Sequence, residues 1–126
     1  MDRMNRTELH YAALENDVVR LRALLDEGAD IDAPDRDGFT ALHLGCQQWA
    51  VECVTELLYR GADVDRVNKF GNTPLWIATF ESKGRGEVIG LLLAAGADPD
   101  HLNNAGRSPR ILAGVIANYD VARFYG

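Results

Sequence analysis

Between Asp35 and Asp65 the chain reads DRDGFTALHLGCQQWAVECVTELLYRGADVD, and its apolar residues fall into two blocks with a polar break between them. The first block, Ala41 to Cys46, follows a threonine; the second, which Trp49 begins, runs to Leu58 and ends at Gly-Ala-Asp. Each has the length and spacing of a short helix that turns one face to a core. The stretches between Gly-Ala-Asp and the next Thr, ADIDAPDRDGF and ADVDRVNKFGN, are too short for another helix and rich in turn-forming Asp, Asn and Gly. The pattern predicts a unit of turn, short helix, turn and longer helix.

That unit recurs. Helix starts align as TELHYAA at Thr7, TALHLGC at Thr40, TPLWIAT at Thr73 and SPRILAG at Ser108, spaced by 33, 33 and 35 residues. Gly-Ala-Asp recurs at Gly28, Gly61 and Gly96, each 12 residues before the next Thr or Ser. Two independent markers in one period mean a stacked solenoid. Thr7, Thr40, Thr73 and Ser108 carry oxygens that accept from the free amides of a first helical turn. Pro74 and Pro109 follow where a missing N–H costs nothing. Gly28, Gly61 and Gly96 end the longer helices, behind the apolar pairs of LLDE, LLYR and LLAA. Gly38, Gly71 and Gly106 suit the turn that reverses the chain. One such unit cannot bury its apolar face alone, so neighbours must stack.

The segments Gly38 to Cys46 (G-F-T-A-L-H-L-G-C) and Gly71 to Ala78 (G-N-T-P-L-W-I-A), with L-L-x-x-G-A-D three times over, closely resemble the ankyrin repeat. The resemblance covers nearly the whole chain. It implies an all-α ankyrin-repeat solenoid in a single domain over 1–126. About four helix-turn-helix units are expected, near 1–34, 35–67, 68–102 and 103–126, joined by short β-turn or hairpin connections. The first and last units are atypical caps. The last replaces the family's Leu with Arg110 and stops inside its second helix, where Arg107, Arg110, Asn118 and Arg123 can supply a polar outer face.

Three departures from the pattern stand out. The third unit carries two extra residues between Phe80 and Val88, FESKGRGEV against QQWAVEC, which maps to a loop between its helices. Trp76 stands where the first two units have His10 and His43, a position that in the family ties neighbouring repeats together. Packing into the core is the first expectation for Trp76. Asp32, Asp65 and Asp100 occupy positions where many family members have Asn, so the hydroxylation seen on some of those asparagines has no target here.

Composition adds limits. The 126 residues hold 47% hydrophobic and 25% charged residues, an ordinary globular balance for one core. The net charge of −6 is graded: from unit one to unit four the acids and bases number 8 and 4, 6 and 3, 4 and 3, then 1 and 3. Local charge therefore runs −4, −3, −1 and +2, which disfavours nucleic acid and suits a protein partner with a basic patch. Cys46 and Cys53, both inside apolar patterns, read as buried thiols in a reducing compartment. With no secretory h-region and no apolar run of about 18 residues, a cytoplasmic protein outside the membrane is expected.

Catalytic chemistry has no foothold in the sequence. There is no H-E-x-x-H, no P-loop and no G-x-S-x-G. Lys83-Gly84-Arg85-Gly86 lacks the spacing of a phosphate cradle. Asp98-Pro99-Asp100-His101 repeats the loop acids of the other units and reads as solvated turn, not metal site. No cofactor and no metal are expected.

The function implied is that of a non-catalytic module, monomeric on its own, which binds a protein through the concave surface of turn tips and first helices. Carried over by position, the candidate contact residues of unit two are Arg36, Asp37, Phe39, Gln47, Gln48 and Trp49. Lys69, Phe70, Asn72, Phe80 and Glu81 follow in unit three, and Arg107 in unit four. Aromatic residues at turn positions with a charged rim have the composition of an interface. Two uses of such a surface differ: an adaptor or scaffold, or an inhibitor of the immunity-protein type that neutralises an enzyme or toxin. An enzyme is the third and weakest reading.

Overall fold

The computed structural model describes residues 3–116 and 118–126; Met1, Asp2 and Ala117 lie outside the described residues. Three pairs of helices, α1 (Glu8–Leu14) with α2 (Val18–Asp26), α3 (Ala41–Gln47) with α4 (Val51–Tyr59) and α5 (Pro74–Phe80) with α6 (Glu87–Ala94), precede α7 (Pro109–Val115). A 3-10 turn, Ala122–Tyr125, closes the chain, and the described residues contain no strand. The first helices α1, α3, α5 and α7 pack in one row and the second helices α2, α4 and α6 in another. This is the all-α repeat solenoid that the period of the sequence implies.

Local chemistry sets the helix starts. Thr7, Thr40, Thr73 and Ser108 sit in extended backbone, and each side chain accepts the N–H three residues on. In the first two units a histidine answers at that third position: the Thr7 and Thr40 amides donate to Nδ1 of His10 and His43 at 3.0 and 3.1 Å. With Nδ1 accepting, the neutral ring carries its hydrogen on Nε2. That hydrogen is spent on the next unit, His10 donating to the Phe39 carbonyl at 2.9 Å and His43 to the Asn72 carbonyl at 3.0 Å.

The longer helices end alike. Gly28, Gly61 and Gly96 donate to Leu25, Leu58 and Leu93, and the following alanines donate to Leu24, Leu57 and Leu92, at 3.0–3.1 Å throughout. This paired 6→1 and 5→2 bonding satisfies two orphan carbonyls per helix. The turns are braced by one residue each: Asp35, Asn68 and Asn103 accept, on a single Oδ1, the amides two and four positions later. At Gly38, with φ +83°, a Cβ would come within 2.9 Å of the Asn68 Cα of the next turn, so stacking of the turns requires glycine there. The loop acids are less idle than their exposure predicts. Asp32 and Asp65 accept the Asp63 and Asp98 amides of the following unit at 2.9 and 3.0 Å.

The core lies between the two rows. Leu9, Leu21, Leu42, Leu57, Leu75 and Leu92 are 0–3% exposed, and each contributes about 2 kcal/mol by its burial. The last unit differs from expectation. After α7 no second α-helix forms among the described residues; Ile116 turns away in extended backbone, and 118–126 folds back on the third unit. Val121 is fully buried, and Phe124 and Tyr125 pack against the core. A Cβ at Gly86 would run into the Phe124 ring, so the glycine of the inserted loop makes room for the tail. The Tyr125 hydroxyl bonds that of Thr79, while Arg110 pairs with Asp100 at 2.8 Å and donates to the Tyr125 carbonyl at 3.1 Å. Arg110 thus ties the end together as well as facing outward.

Candidate partner-binding groove

At the seam between the second and third units, the turn tips and first helices leave a depression of about 290 Å³. Six of the sequence candidates line it: Phe39, Gln47, Phe70, Asn72, Phe80 and Glu81. The solenoid brings them together because the two turns stack as neighbours, the Lys69 amide donating to the Asp37 carbonyl at 2.9 Å. Phe70 and Phe80 are 51% and 60% exposed, while Phe39 is half-buried and meets His43 edge to face with ring centroids 5.6 Å apart. Phe39 therefore serves the core as much as the groove.

The other candidates lie elsewhere. Asp37 and Lys69 bind each other at 2.9 Å on neighbouring turns, with the Lys69 ammonium 5.1 Å from the Phe70 centroid. Arg36 and Gln48 are exposed away from the depression, and Arg107 is exposed on the last turn. Trp49 requires a correction. It is 7% exposed, lies ahead of α4 rather than opening it, and takes φ 51° at the position after the α3 cap. Its Nε1 donates to the Ala78 carbonyl at 3.2 Å, and the Arg85 guanidinium covers the ring at 4.3 Å. Hydrogen bond, burial and cation–π contact together hold a bulky residue in the left-handed region. The insertion before Val88 supplies that Arg85, which bonds back to the carbonyls of Ser82 and Glu81.

Trp76 and Asn68 line the depression although sequence reasoning did not place them there. Trp76 is half-buried and stacks on Phe80, centroids 5.4 Å apart and planes 10° from parallel. The signal for it was the break in the row of histidines. Trp76 Nε1 and Asn68 Nδ2 are buried donors without partners. Each orphan has a cause. Tryptophan replaces the histidine that would reach the next unit. Asn103 Nδ2 donates to Asn72 Oδ1 at 2.8 Å, but one unit earlier Asn68 finds Phe39 where that acceptor would stand.

Burial dominates the titration of His43 and of the two thiols. It lowers the His43 pKa to about 4, raises the Cys46 thiol far above its ordinary value, and raises Cys53 to about 11 with help from nearby carboxylates. The two thiols are free and protonated, hence poor nucleophiles. Among the described residues no cluster of three or more His, Cys, Asp or Glu is placed to hold a metal, and no helix is long and apolar enough to cross a membrane.

A family model described as ankyrin repeats (3 copies) matches residues 1–68, and one described as ankyrin repeat matches residues 70–104. No curated protein matches the chain. Proteins built of these repeats are generally protein–protein interaction modules and typically non-catalytic.

Proposed function

The chain belongs to the ankyrin-repeat family, and from that premise we propose that it is a non-catalytic adaptor or scaffold binding a protein through the groove between its second and third units. The observation that carries this reading is the exposure of Phe70 and Phe80 at 51% and 60% beside a half-buried Trp76. Large apolar rings left in water gain little from folding, whereas a partner that covers them gains their full burial. A rigid scaffold adds little ordering cost on binding. The free, buried thiols support a reducing, cytoplasmic setting.

The test is affinity capture from the native cell with the wild type and with a Phe70→Ala/Phe80→Ala variant. The wild type should retain a partner that the variant loses, while both melt at the same temperature. Retention by the variant would sink the reading. Several partners of moderate affinity fit the adaptor; a single tight one-to-one complex with an enzyme or toxin would instead mark an inhibitor.

A further inference from the structure

Taking the concave face as the binding surface, we infer that the groove accepts a cationic side chain of the partner, an arginine guanidinium laid on Phe80 and paired with Glu81. What the groove presents to a ligand is the negative faces of aromatic rings, one carboxylate and the uncharged side-chain amides of Gln47 and Asn72. Glu81 is, among the described residues, the one charged residue lining it. Among the described residues its carboxylate has no ion pair or hydrogen bond, its main-chain carbonyl alone being engaged by Arg85. Lys69 stands at the rim, and its charge is already matched by Asp37.

Among the described residues no cation lines the groove to meet an anion, and two of its donors are out of reach. Asn68 Nδ2 and Trp76 Nε1 are buried beneath the surface, so a carboxylate or phosphate entering the groove meets no free N–H from them. An apolar side chain would cover Glu81 and leave a desolvated charge unpaired, which is the costliest outcome. A guanidinium satisfies both features at once, since its plane stacks on a ring while its edge offers a fork of donors to a carboxylate. The chain itself repeats this contact, with Arg85 over Trp49 at 4.3 Å and Arg123 over Phe124 at 4.8 Å. A volume of about 290 Å³ takes one long side chain, not a helix.

The experiment titrates the ¹⁵N-labelled protein with three capped tripeptides, Gly-Arg-Gly, Gly-citrulline-Gly and Gly-Glu-Gly, and follows the two indole N–H resonances. Trp76 reports the groove; Trp49, buried under Arg85, is the internal reference. The arginine peptide should shift Trp76 saturably in the millimolar range and leave Trp49 still. Citrulline, neutral but of the same shape, should bind about tenfold more weakly, and Glu81→Gln should lose a similar factor for arginine. Equal binding of citrulline, any preference for the glutamate peptide, or no shift of Trp76 overturns the inference. The two proposals fail separately. Should the peptides fail while Phe70→Ala/Phe80→Ala still releases the captured partner, the groove binds by other chemistry and the protein-binding reading survives. Should that variant keep its partner, the reading itself falls whatever the peptides do.

Discussion

The joint between the second and third units and the joint between the third and fourth meet the same demand by different means. At the first, His43 accepts the Thr40 amide and donates to the Asn72 carbonyl, so one buried ring caps its own helix and clamps the next turn. At the second, Trp76 stands in that place with an unpartnered Nε1, and the clamp is made by asparagines and the tail: Asn103 to Asn72, Asn104 to the Lys69 carbonyl, Tyr125 to Thr79. His43, with both ring nitrogens spent, offers no free polar atom to the groove that lies at its own joint. Tryptophan at the same register gives up that closure and puts a stacked aromatic pair into the groove. The break in the repeat and the candidate binding surface are the same feature.

Removing the histidine clamp should have the largest effect. His43→Ala deletes two buried hydrogen bonds and opens a cavity, and should cost roughly 4 kcal/mol in urea unfolding. A loss below 1 kcal/mol would mean the stacked turns hold without it, and the contrast between the joints would vanish.

Acid should attack the same joint. Burial lowers the His43 pKa from 6.5 to about 4, so as pH falls the unfolded chain takes up the proton first. The contribution of His43 is whole above pH 6.5 and is lost as pH falls toward and through 4. Between those limits it amounts to about 3 kcal/mol. Physically, a proton on Nδ1 displaces the Thr40 amide that Nδ1 accepts. The wild type should lose this stability between pH 6.5 and 4 while His43→Gln does not, and the His43 ring resonances of the folded protein should begin to move only near pH 4. Titration of the folded ring near pH 6.5 would contradict the burial argument.

Trp49 sharpens the comparison from the other side, as an aromatic used for structure rather than for the groove. Trp49→Asn keeps a residue suited to φ 51°, as Asn16 is at the same register of unit one, but gives up the buried indole, its bond to Ala78 and the Arg85 contact. It should cost about 2 kcal/mol and leave partner capture unchanged. Loss of capture at unchanged stability would return Trp49 to the binding surface.

The fold was legible where the cause is local. Thr7, Thr40, Thr73 and Ser108 cap helices by chemistry contained within four residues, and the Gly-Ala pairs close them by bonds equally short in sequence. Phe39 and Phe70 stood out as aromatics at turn positions, and Phe80 as an aromatic at the end of a first helix. What escaped depends on distant partners. Trp49 is buried because Arg85 of the insertion and the Ala78 carbonyl meet it across the seam. The tail forgoes a second helix because Val121, Phe124 and Tyr125 find a surface on the third unit, with Gly86 leaving room for the ring. Neither contact has a signature in the period. The orphan donors needed the structure too, since each exists only by contrast with the satisfied copy one unit away.

Trp76→His tests the comparison with the smallest expected change in stability. It gives the third unit the residue that the first two share, so Nδ1 can accept the Thr73 amide and Nε2 can reach for the Arg107 carbonyl, which stands where Asn72 and Phe39 do one and two units earlier. Those bonds, worth about 1 kcal/mol each, offset the loss of a half-buried indole and its stack on Phe80, so the melting temperature should stay within a few degrees of wild type. Partner capture should nevertheless fail, because Phe80 loses the ring that holds it in place. A strongly destabilised variant would show that Trp76 is core and the groove a by-product of its packing. A stable variant that still captures its partner would show that Phe70 and Phe80 suffice without it. A stable protein that no longer binds is the outcome that separates closing a joint from using one.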